Sequence, residues 1–182
     1  MALVTFVMSA LMVITMAWHG EQRDALIAFA WAAAVSSMAH LVFWRPRVIL
    51  FDEGITIVNP FLTITVGWDL VDAIEAKYTM SILVADKTIH AWAAPAPSRY
   101  HSRSIHETEL RGMRFNDQTM IRPGESPRSH SGAATYLARA KLANFRERNL
   151  VGAASKVDFN TFGITALLLS VTAAMVLTYF QF

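Results

Sequence analysis

Six histidines, a run of arginines and no cysteine are the chemically able side chains of this 182-residue sequence. Without cysteine there are no disulfides, no thiolate metal sites and no cysteine nucleophile. His40 is the only ionisable group within the apolar run Ala25–Trp44, and an ionisable residue at membrane depth marks a functional position by default. A haem or metal held between His40 and His19 needs the two rings at one level. His19 closes the outer end of the first apolar run, whereas His40 lies near the inner end of the second. The expectation is a neutral His40, hydrogen-bonded at a helix interface. His101, His106 and His130 match no familiar metal-ligand spacing, and no G-x-S-x-G elbow occurs.

Arg99, Arg103, Arg111, Arg114, Arg122 and Arg128 form the other conspicuous set. Basic residues beside a membrane each gain about 1 kcal/mol from anionic headgroups, so this set is assigned to contact with a lipid surface or a protein partner. Glu107, Glu109, Asp117 and Glu125 are interspersed, which also suits a solvated loop ordered by protein contacts. No element for reading bases accompanies the arginines. The expectation is therefore a protein that is not an enzyme, with no cofactor, no metal, no nucleic acid and no small-molecule substrate.

Three elements must position these groups in a membrane. Ala2–Trp18, Ala25–Trp44 and Phe162–Phe182 are long apolar runs, each near the roughly 20 residues that cross a hydrocarbon core of about 30 Å. The first lacks a basic start and a small-residue cleavage site, so it reads as a retained span rather than a signal peptide. All but one of the 16 Lys and Arg residues fall from Arg45 to Lys156. By the positive-inside bias, with Arg45, Arg47 and Lys156 flanking the spans, the N-terminus and the domain are expected on the cytoplasmic side of the plasma membrane and the C-terminus outside. Ala28, Ala32, Ser36 and His40 share a spacing of four on the second span, as do Ala166, Ser170 and Ala174 on the third. Such ridges let helix backbones approach closely in lipid.

The soluble stretch opens as a meander. Val48–Phe51, Ile55–Asn59, Leu62–Val66, Ala73–Lys77, Met80–Ala85 and Thr88–Trp92 read as six short strands separated by turn signals such as Asp52-Glu53-Gly54 and Asp86-Lys87. Gly54 is taken as the residue free to adopt positive φ. Residues 94–130 form an Arg- and Pro-rich loop of a length that is commonly functional. A helix follows from about Ser131 to Asn149, with Ala133, Tyr136, Leu137, Ala140 and Ala143 as its core stripe. Three parts are expected: a transmembrane hairpin over 1–44, a soluble domain over 45–150, and a linker with a third span over 151–182.

Short strands closed by one amphipathic helix outline a pleckstrin-homology (PH) fold. Arg45-Pro46-Arg47-Val48-Ile49-Leu50 after a hairpin of spans, Asp52-Glu53-Gly54-Ile55, Val66-Gly67-Trp68-Asp69-Leu70-Val71 and Ala91–Pro97 resemble the bacterial PH-domain family of small actinobacterial membrane proteins, the low molecular weight protein antigen 6-like group. The resemblance covers roughly residues 1–148 and implies a PH-like antiparallel barrel with a C-terminal helix. The third span departs from that pattern and suggests a dedicated membrane partner. Lipid-binding PH domains place basic residues in the first strand–strand turn, but here that turn is Asp52-Glu53-Gly54, whose carboxylates repel phosphate. The reading that results is a non-catalytic accessory or scaffold subunit of a larger membrane complex, an actinobacterial respiratory supercomplex being one concrete instance. Two alternatives stand beside it: a membrane-anchored PH-like adaptor on anionic lipid, and a small membrane cofactor carrier using His40.

Overall fold

The computed structural model describes residues 2–19, 22–96 and 129–180. In chain order the elements are α1 (Ala2–His19), α2 (Gln22–Ala39) continued by a π-turn over His40–Trp44, β1 (Arg47–Leu50), β2 (Gly54–Val58), β3 (Leu62–Gly67), a 3₁₀ turn at Trp68–Leu70, β4 (Ala73–Ala76), β5 (Thr79–Val84), β6 (Lys87–Pro95), α3 (His130–Arg148), β7 (Lys156–Phe159) and α4 (Thr161–Tyr179). They divide into two compact units. One comprises Met1–Pro46, Pro60–Leu62 and Phe159–Phe182; the other comprises Arg47–Asn59 and Thr63–Asp158. The third apolar helix thus joins the hairpin in one unit.

In the first unit α1, α2 with its extension, and α4 are each long and apolar enough to cross a membrane. The middle helix, α2, packs against both others. Its buried side chains are almost all alanine, on two sides. Ala28, Ala32 and Ala39 lie on one and Ala30, Ala34 and Leu41 on the other, since positions two apart differ by about 200° around a helix of 3.6 residues per turn. The π-turn closes with the Arg45 N–H donating to the His40 carbonyl at 2.9 Å. Asn160 caps α4, its side chain accepting from the Gly163 N–H at 3.3 Å.

In the second unit the strands form two sheets of order β1-β2-β3-β7 and β4-β5-β6. The first six strands match the sequence expectation closely, and β1-β2-β3 and β4-β5-β6 are antiparallel meanders. The expected barrel is a different matter: among the described residues the two sheets do not close into one. Asn59 supplies a physical reason. Its amide donates to the His90 carbonyl and accepts from the Trp92 N–H, both at 2.9 Å. One side chain thereby occupies β6 main-chain groups that a neighbouring strand would otherwise take.

The turns are specific. β5 and β6 join through Ala85 (φ 44°) and Asp86 (φ 67°), the two positive φ values of a type I′ hairpin, one residue earlier than the expected Asp86-Lys87. Asp72 secures it by accepting from the Ala85 N–H at 2.9 Å. Gly54 is needed for space: a Cβ there would run into the Val66 carbonyl across the ladder. Trp68, 1% exposed, donates from Nε1 to the Phe51 carbonyl at 2.9 Å and from its N–H to the Glu53 carbonyl at 3.1 Å, pinning the β1–β2 turn.

The core joins Ile55, Ile57, Val66, Trp68, Ile74, Met80 and Ile82 from the strand region to Ala138, Leu142 and Phe145 from α3. The buried stripe of α3 is Ser131, Thr135, Ala138, Leu142 and Phe145, at alternating spacings of four and three. This corrects the sequence expectation. Tyr136 and Leu137 are more than half exposed, and the expected stripe lies on the opposite face of the helix. Small and polar residues in the first turns disguise the buried side, and only Leu142 and Phe145 betray it. Ser129 caps α3 by accepting from the Gly132 N–H at 2.9 Å. Arg139 aims Nε and Nη2 at the Ile74 carbonyl at 3.1 and 2.7 Å, fixing the helix on β4.

Residues 151–158, expected as linker, belong to this unit. The Ala153 N–H donates to the Glu53 carbonyl at 3.0 Å, and β7 adds to the sheet beside β3. Gly152 lies so close to the Asp69 carboxylate that no Cβ fits.

Candidate functional site

The small-residue ridges fall in the first unit. On α2, Ala28 and Ala32 are buried, Ser36 is half-buried and His40 is exposed. The cause is geometric: each step of four advances about 40° around the helix, so three steps carry His40 well off the face that Ala28 occupies. On α4, Ala174 is fully buried while Ala166 and Ser170 are half-buried.

The helix pair α2–α4 is organised by residues that the four-spacing did not single out. A Cβ on Gly163 would meet Leu41 Cδ2 at 2.7 Å. Leu41 shares its side of α2 with Ala30 and Ala34, so that side faces α4. Trp31 donates from Nε1 to the Thr178 hydroxyl at 3.2 Å, and Thr178 donates in turn to the Ala174 carbonyl at 2.7 Å. The two helices therefore run antiparallel: the end of α2 meets the start of α4, and the end of α4 meets the middle of α2. The repeated Ala30–Ala34 spacing was a readable signal for this second face. Asn160-x-x-Gly163 was the readable signal for the cap.

Arg99, Arg103, Arg111, Arg114, Arg122 and Arg128 lie outside the described residues, as do His101 and His106. His130 opens α3 and is exposed. Among the described residues no three of His, Cys, Asp or Glu come together as a metal group would need.

In the second unit one cleft, about 240 Å³, is lined by Asp52, Lys141, Asn144, Phe145, Arg148 and Leu150. Lys141 is ion-paired with Asp52. The hydrogen bond and charge of Lys141, aided by the more distant charge of Arg148, hold the Asp52 carboxyl below its ordinary value of 3.8. The carboxylate that makes the first turn unwelcoming to phosphate is thus partly neutralised from α3. The cleft carries both signs of charge.

The outer face of α3 is a further exposed feature of this unit among the described residues. Tyr136 and Leu137 stand exposed there, with Ala133, Ala140 and Ala143 around them. They lie opposite the buried stripe, so the core cannot use them. An exposed apolar helix face of this kind is the sort of surface at which interaction sites are found.

Comparisons with protein-family models, curated proteins and solved structures return no match to this chain.

Proposed function

We propose that this chain is a non-catalytic accessory subunit of a larger integral membrane complex, carrying a PH-like module between its second and third spans. Two three-stranded meanders followed by a helix whose stripe fills their core support the PH-like reading. Arg45 and Arg47 after the second span support a cytoplasmic module and an external C-terminus.

The observation that carries the proposal is the outer face of α3. Tyr136 and Leu137 are each more than half exposed, on a helix that already buries its other side. Tyrosine is enriched among the residues that dominate interface energetics. The test is mild-detergent purification of the tagged full chain from native membranes, with mass spectrometry of what accompanies it. The expected result is stoichiometric recovery of one set of membrane proteins, lost in Tyr136→Ser/Leu137→Ser while the variant still inserts and α4 stays packed on α2. Recovery of the chain alone, or an unchanged set with the double variant, contradicts the reading.

A further inference from the structure

One strand turn behaves unlike the rest of the strands. Pro60–Leu62, the last two residues of the link between β2 and β3 with the first residue of β3, belongs to the unit made of α1, α2 and α4. Asn160, the N-cap of α4, holds it. The Asn160 N–H donates to the Phe61 carbonyl at 2.8 Å, and its side-chain Nδ2 donates to the Pro60 carbonyl at 3.4 Å. The Asn160 Oδ1 meanwhile caps Gly163. One residue therefore sets both the start of α4 and the position of the turn.

What surrounds this end of the bundle is aromatic and uncovered. Phe43 and Trp44 finish the second span, Phe159 and Phe162 flank Asn160, and Phe61 projects from the turn; all five are exposed. Leu41 against Gly163 places the end of α2 beside the start of α4, so these rings gather at one end of the three helices. Trp collects at the headgroup level of spanning proteins, and exposed Phe beside it fits the boundary between headgroups and acyl chains. Backbone carried below the headgroups into the hydrocarbon must have its polar groups satisfied from within the protein. The carbonyls of residues 60 and 61 meet that condition through Asn160.

We infer that the β2–β3 turn is a membrane-inserted anchor. Phe61 enters the headgroup–acyl boundary of the leaflet at the Trp44 end of the bundle, and Asn160 holds it at that depth. The occupant of this apolar surface is the bilayer that the spans cross, because the turn continues the ring of aromatics at the span ends. The inference rests on the reading of α1, α2 and α4 as membrane spans.

The natural chain has no cysteine, so single labels report cleanly. Phe61→Cys, Phe162→Cys and Leu168→Cys full-length chains, each carrying an environment-sensitive fluorophore, are reconstituted in vesicles. The vesicle lipids are brominated either near the headgroup or near the chain ends. The expected result is a blue-shifted label at residue 61, quenched by the shallow lipid, shielded from aqueous iodide and matching residue 162. Leu168, in the middle of α4, is quenched by the deep lipid. Asn160→Ala, which removes the partner of Pro60, reduces shallow quenching at 61 and leaves 168 unchanged. A label at 61 that iodide reaches and lipid does not, with 168 normally quenched, overturns the anchor while the spans stand. A label at 61 shielded from both quenchers overturns it in favour of a protein contact. Failure of deep lipid to quench 168 overturns the spanning reading and the anchor with it.

Discussion

The two units bury opposite things. The second hides Trp68, Met80, Leu142 and Phe145. The first hides alanines and Leu41, and turns Leu168, Leu169, Phe162 and Met175 outward. One alphabet is used twice with its sense reversed. In water, large apolar side chains gain most by leaving the solvent, at about 25 cal/mol per Å². In hydrocarbon that gain vanishes, and helices associate through close contact of small residues and interhelical hydrogen bonds. The contrast is the one expected of a unit in water beside a unit in hydrocarbon, where the medium, more than the residue, decides which side chain goes inside.

The largest effect expected from breaking this contrast is at Trp68. Trp68→Ala removes the biggest buried side chain of the second unit and strands the Phe51 carbonyl that its Nε1 serves. The expected cost is about 3–5 kcal/mol, read as lost hydrogen-exchange protection across β4–β6 in the full chain.

A matched pair on α3 sharpens the comparison within one helix. Leu142→Ala should cost about 2–5 kcal/mol by the same readout, whereas Leu137→Ala, on the exposed face, should stay within about 0.5 kcal/mol. Equal effects would place the core on the wrong side of α3. In the first unit the rule reverses, and enlarging a residue is the damaging change. Ala34→Leu should separate α2 from α4 at a cost of about 1–3 kcal/mol, measured by detergent titration of the bundle.

A stabilising change is expected next. The Thr135 hydroxyl is buried and lacks a hydrogen-bond partner among the described residues. Thr135→Val keeps its shape and should add about 1 kcal/mol.

The smallest effect is electrostatic and belongs to the exposed Asp52–Lys141 pair. Because pairing depresses the folded carboxyl below its unfolded value of 3.8, the contribution is fully present above that value. It is lost as pH falls through the folded one, and salt screens it. An NMR titration should show the depressed Asp52 midpoint rise towards the ordinary value in Lys141→Met.

Much of this was legible because length and alternation alone decide it. Three uncharged runs of about 20 residues read as long apolar helices, and six short strands separated by Gly, Pro and Asp-rich turns read as a meander. β7 was not legible: Lys156-Val157-Asp158-Phe159 is four residues, all exposed, and becomes a strand by pairing beside β3. The face of α3 misled because Ser131 and Thr135 occupy core positions while Tyr136 and Leu137 do not. The link from Asn59 to the β6 main chain was not legible either, because no pattern of hydrophobicity encodes where one side-chain amide finds its partners. Along the ridges spaced by four, Ala174 is buried and His40 exposed, since that spacing drifts off a true helix face. The arginine set lies in residues that the structure does not describe.

The antiparallel pairing of α2 with α4 has a consequence in time. The face of α2 that carries Leu41 meets Gly163, roughly 120 residues later in the chain. A ribosome adding about 5–20 residues per second needs on the order of ten seconds to cover that distance. On the reading of α1, α2 and α4 as spans, the hairpin waits through that interval with one alanine face unclaimed, while the entire second unit is synthesised and becomes free to fold. The bundle is thus finished last, and the insertion machinery or a neighbouring helix has a window in which to occupy the place that α4 will take.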